Sequence, residues 1–146
     1  MNELRSEDTE RLNAYLRGEL AAVETYRQAM NALDGDPELR GQLARCRQSH
    51  LERVEHLRFE IEMLGGRPSS SSGAWGNFAK LAEGSARIFG KKAALTVLEE
   101  GEDYGLRIYR ERREGLAPRV QQFVDQRLLP EQRRTHDALS RLQALA

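Results

Sequence analysis

Apolar residues recur at alternating spacings of three and four through four stretches of the chain. That is the mark of amphipathic helices whose stripes face one core. The first stretch runs from about Glu7 to Leu33, with Ser6 or Asp8 as the expected N-cap. Its stripe is Leu12, Tyr15, Leu16, Ala22, Val23 and Tyr26. Asp34-Gly35-Asp36-Pro37 ends it and starts the next helix. Gly35 suits a left-handed C-terminal position, Asp36 an N-cap and Pro37 a first turn. The second stripe is Leu39, Leu43, Cys46, Val54, Leu57, Ile61 and Leu64, stopped by Gly65-Gly66. The third helix is expected from about Lys91 to Glu114, with Leu95, Leu98, Leu106 and Tyr109 inward. Gly115 ends it and Pro118 opens the fourth, which carries Val120, Phe123, Val124, Leu128, Ala138, Leu142 and Leu145.

A three-four alternation gives left-handed packing at crossing angles of roughly 20°. Two short connections predict two antiparallel hairpins, and residues 65–90 form a long crossover between them. The crossover begins with the flexible SSSSG run and continues as AWGNFAKLAEGSARIF. That second part reads as a short amphipathic helix with Trp75, Phe78, Leu81, Ile88 and Phe89 on one face. The whole chain, 1–146, is expected to form one four-helix-bundle domain.

Each stripe is interrupted near its middle by a polar residue: Glu19, His50, Glu102 and Glu131. Hairpin geometry would bring all four to a similar height. One such residue could snorkel outward, but four at matching depth predict a buried polar layer. A buried carboxylate is costly unless it meets a cation, a metal or a donor.

Composition changes this picture only by exclusion. Lys+Arg and Asp+Glu both count 23, so the net charge is zero and no basic excess points to nucleic acid. Cys46 is the single cysteine, which excludes an internal disulfide and a thiolate cluster. No run is apolar enough for a membrane span, and MNELRSEDTER lacks a signal-peptide core, so a cytoplasmic protein is expected. No Gly-rich phosphate loop, Ser-His-Asp series or CxxC is present. Glu52 and His56 stand four apart on one helix face, but Glu55, Arg58 and Glu60 mark that face as solvated. Gly101 and Gly105 flank Glu102, which suggests close helix approach.

GELAAVETY, from Gly18 to Tyr26, resembles the first-helix ligand motif of ferritin-like di-iron proteins such as rubrerythrins. EEGEDYGLRIY resembles their third helix, with Glu102 at a ligand position, and HLRFEIEMLGG the end of their second. SGAWG and LLPEQRRTH are similar to segments of a bacterial group of ferritin-like proteins. The resemblance implies a ferritin-like bundle and a stress-related role. It also implies Glu-x-x-His on the second and fourth helices. Here those positions read His50 with Arg53, and Glu131 with Arg134. His136 lies five residues past Glu131, and a kink at Pro130 could turn it inward.

Two accounts follow. In one, Glu19, His50, Glu102, Glu131 and His136 hold iron, manganese or zinc for oxidase or peroxidase chemistry. In the other, Arg53 and Arg134 replace the metal charge and pair with Glu19 and Glu102, leaving no cofactor and no catalysis. The arginines favour the second, because a guanidinium is never a usable ligand and repels a dication. Such a chain would be an interaction module, with a homodimer or protein partner reached through Trp75–Phe89. The same segment, with Lys80, Arg87, Lys91 and Lys92 nearby, also permits a peripheral membrane role.

Overall fold

The computed structural model describes residues 2–33, 35–73, 84, 90–111 and 113–146, with side chains from residue 6 onward. The expected Trp75–Phe89 helix lies outside them. Among the described residues the structure is helices and turns, with no strand. Helix α1 spans Asn2–Ala32, α2 Pro37–Met63 and α3 Lys91–Arg110. The fourth rod has three parts: α4 Pro118–Phe123, a π-helical turn Val124–Leu128 and α5 Leu129–Leu145.

Several helix ends follow the local chemistry. Asp36 caps α2, its carboxylate accepting from the Leu39 amide at 3.1 Å, with Pro37 in the first turn. Gly65 adopts φ 80°, and its amide and that of Gly66 return to Glu62 and Ile61. This is the Schellman closure that a glycine pair favours. Other ends differ from expectation. The first helix starts at Asn2, so neither Ser6 nor Asp8 caps it. Asp8 is buried inside α1 and accepts instead from the Ala117 amide at the start of α4. Gly35 does not take the left-handed conformation. Helix α3 ends at Arg110, not Glu114, because Glu111 turns extended. The serine-rich start of the crossover is tied down at Ser69. Its amide donates to Asn13 at 2.8 Å and its hydroxyl accepts from Arg17 at 3.1 Å.

Helix α1 packs along α2 and α3 along α5, while α1 also meets α3 and α2 meets α5. Two apolar clusters fill the interior. One joins Leu12 and Leu16 of α1, Leu57 and Ile61 of α2, Tyr109 of α3 and Val120 of α4. The other joins Ala29 of α1, Leu43 of α2, Leu95 of α3 and Leu139 of α5. The start of α1 therefore lies beside the ends of α2 and α3. Helices α2 and α3 run parallel, so the end of α2 and the start of α3 lie at opposite ends of the fold. Between the two clusters lies the polar layer.

Candidate functional site

Glu19, His50, Arg53 and Glu102 meet in the layer, each at most 4% exposed. The imidazole of His50 sits between the carboxylates. Its Nδ1 is 2.6 Å from Glu19 Oε2 and its Nε2 is 2.8 Å from Glu102 Oε2. An ionised carboxylate only accepts, so both ring nitrogens carry protons and His50 is an imidazolium. Arg53 Nη1 donates to Glu19 Oε1 at 3.3 Å. The layer thus sets two carboxylates against two cations.

The remaining donors come from residues that the stripe pattern hides. Tyr109 donates to Glu19 Oε1 and Tyr26 to Glu102 Oε2, each at 2.5 Å. Gln132 Nε2 and Thr135 Oγ1 donate to Glu102 Oε1 at 2.8 and 2.6 Å. Glu102 therefore accepts four hydrogen bonds through its carboxylate. Arg53 uses all five of its N–H groups. Besides Glu19, it reaches Gln132 Oε1, Thr135 Oγ1 at 3.1 Å, Ser49 Oγ at 3.2 Å and the Ser49 carbonyl at 3.4 Å. Gly105 makes this possible, since a Cβ there would stand 2.7 Å from the Gln132 amide nitrogen. Its place beside Glu102 is thus explained by close approach, as expected.

Electrostatics follow the geometry. Burial alone would raise the Glu102 pKa, but His50 and then Arg53 outweigh it and hold it down to about 2. Glu19 is likewise lowered, burial being overcome by Arg53 and His50. Burial and Arg53 depress His50, yet Glu19 and Glu102 together raise it above its ordinary value. Tyr26 and Tyr109 are pushed well up, chiefly by burial and then by the carboxylates they donate to.

The fourth rod departs from the sequence reading. Glu131 and Arg134 do not enter the layer. They pair with each other at 2.6 Å with side chains 37% and 57% exposed. Glu131 also accepts from Ser49 at 3.3 Å. An uninterrupted α-helix through Val120 and Val124 would have faced residues 127, 131 and 134 inward. The π-helical turn takes up one extra residue, so everything beyond it moves by one position. Gln132, Thr135 and Leu139 become the inward set. Pro130 is the second residue past this turn and lacks the N–H that an α-helix would use. The distortion anticipated there exists, but it does not bring His136 inward. His136 pairs with Asp103 at the surface. Cys46 is buried in the neighbouring apolar cluster, its thiol pushed up to about 11 mainly by burial. His56 is exposed, as the solvated-face reading requires.

A sequence signal for the tyrosines does exist. Gly18-Glu19 and Tyr26-Arg27 match Gly101-Glu102 and Tyr109-Arg110 at identical spacing. Each glutamate receives its phenol from the other helix, so the five groups form a chain: Tyr26, Glu102, His50, Glu19, Tyr109. His50 and Arg53 on α2 have Gln132 and Thr135, also three apart, as their counterparts on α5.

Arg53 is a cation and no metal ligand, Gln132 and Thr135 are neutral, and both His50 nitrogens are committed. Among the described residues, no three His, Cys, Asp or Glu side chains are grouped to hold a metal ion. Nor does any helix among them reach the length and apolarity needed to cross a membrane. No family model, no curated protein and no solved structure matches this chain.

Proposed function

We propose that this chain is a ferritin-like bundle whose di-iron layer has been replaced by a metal-free, charge-balanced hydrogen-bond network. On this reading it serves in the cytoplasm as a non-catalytic interaction module, with the stress-related setting that the resemblance implies. The observation that carries the proposal is Arg53, fully buried with every N–H satisfied, opposite two carboxylates and an imidazolium. A dication in the same space would face two cations of the protein itself. General acid–base work is also unsupported, because a base needs a free lone pair near a substrate. His50 has none, Glu102 is saturated, and the lone pair left on Glu19 Oε2 belongs to a carboxylate that Arg53 and His50 hold below its ordinary pKa despite burial, a weak base.

A metal-dependent oxidoreductase would require Glu131 and His136 to join Glu19, His50 and Glu102. Their outward placement counts against that reading. The deciding experiment is elemental analysis of protein purified without chelator or affinity metal. The proposal expects no stoichiometric iron, manganese or zinc, and none after incubation with ferrous iron. A reproducible ratio near one or two per chain, lost in Glu19→Ala, would overturn it.

A further inference from the structure

The layer has two unlike sides. Toward α2 and α5, Arg53 borders a cleft shared with Glu131 and Arg134. Toward α1 and α3, a groove of about 280 Å³ descends to Glu19, His50 and Glu102. Arg53 does not border this groove. Its floor is therefore two carboxylates against one imidazolium, with the balancing guanidinium set behind. All four tyrosines of the chain line it together with the small residues Gly18, Ala22 and Gly101, and a Cβ at Gly18 would meet nothing within 4 Å.

Among the described residues, the unused hydrogen-bonding capacity around Glu19 is acceptor. Among the described residues Glu19 Oε2 accepts only from His50 and keeps a lone pair. The phenol oxygens of Tyr26 and Tyr109 donate to carboxylates and can still accept. The donors beside Glu19 are spent, while the buried Tyr15 hydroxyl on the groove wall has no acceptor among the described residues. Both His50 nitrogens are engaged, and the Gln132 amide nitrogen serves the Glu102 carboxylate and carbonyl. The space equals the liquid volume of roughly nine water molecules. It suits one small ring on a short chain.

We propose that the α1–α3 groove binds a small organic ammonium ion with a flat apolar body, the arylalkylamine class. The ammonium lies toward Glu19, and the ring lies among the tyrosines. The tyrosine faces add cation–π attraction to the hydrogen bond. The walls supply the apolar burial that most of such a ligand's surface needs. The inference concerns occupancy of the groove and goes beyond the reading of the layer as metal-free.

Phenethylamine titrated into the full chain by calorimetry tests this, with 2-phenylethanol as the uncharged analogue. Saturable binding at millimolar concentration is expected, about tenfold tighter for the amine. Gly18→Leu places a side chain in the groove, at a position where a Cβ meets nothing within 4 Å. That variant should keep its helicity and melting point and lose the amine. Nuclear Overhauser contacts from the probe to the Tyr26 and Tyr109 rings are expected in the unmodified protein, whatever the variant does. No saturable binding, equal affinity for the alcohol, probe contacts elsewhere, or full affinity in a folded Gly18→Leu protein would each overturn the proposal.

Discussion

Arg53→Met removes a guanidinium while leaving most of its volume filled, so the cost is electrostatic and not a cavity. Glu19 is 4% exposed and loses one of its three donors together with its nearest fixed cation. Breaking a buried pair in this way costs about 3–5 kcal/mol. Gln132 Oε1 also loses its donor, which adds about 1 kcal/mol. The expected total is about 4–6 kcal/mol, a large share of an ordinary stability of about 5–15 kcal/mol. Glu19→Gln alone leaves the layer with an unbalanced positive charge and weakens three charge-assisted bonds, about 2–3 kcal/mol in all. The double variant keeps one carboxylate against one imidazolium. It should be more stable than the sum of the single effects by about 2–3 kcal/mol. Urea unfolding of all four proteins at neutral pH gives this coupling, provided the denaturant slopes agree. Strict additivity would refute the pairing of Glu19 with Arg53.

Stability should peak in mildly acid solution. Glu19 and Glu102 have lowered values, so their contribution is complete above the unfolded value of 4.5; that of Glu102 is lost as pH falls toward about 2, and that of Glu19 as pH falls through its own lowered value. His50 is raised, so its contribution is complete below the unfolded value of 6.5 and is lost as pH rises through its folded value. Melting points across pH should therefore fall on both sides of that window, and His50→Gln should remove the alkaline decline. The π-helical turn makes a separate prediction. Deleting exposed Gln126 while replacing Pro130 with alanine lets a continuous α-helix carry Val120, Val124, Leu128, Gln132, Thr135 and Leu139 on one face. Circular dichroism melting should show a folded, cooperative protein. The same deletion at exposed Arg133 should unfold it, because Leu139 and Leu142 would rotate off the core. Equal damage from both deletions would contradict the register argument.

The helices are legible in the sequence because each carries a long stripe with chemical stops. Asp36-Pro37 and Gly65-Gly66 fix their ends as local rules require. Glu19, His50 and Glu102 are legible as polar breaks in those stripes, and Arg53 through the resemblance. The fourth helix differs from its periodicity by one residue, and the reason is physical. Its apolar anchors before and after residues 124–128 are out of phase for an α-helix, and the backbone absorbs the mismatch in a wider turn. Periodicity read at a fixed 3.6 residues per turn then selects Glu131 in place of Gln132, and the resemblance adds Arg134, three on, in place of Thr135. Tyr26 and Tyr109 are hidden differently. A phenol on an apolar stripe looks like packing until its hydroxyl is seen against a carboxylate from another helix.

The state of His50 tests the central claim most directly. If the layer is a metal-free ion network, both ring nitrogens carry protons, each shared with a carboxylate, and no metal touches the ring. Nitrogen-15 spectra of histidine-labelled protein near neutral pH should show His50 as an imidazolium, with two N–H resonances protected from exchange. Assignment follows from their loss in His50→Gln. One bare nitrogen on His50, whether from a neutral ring or from a coordinated metal, would contradict the account.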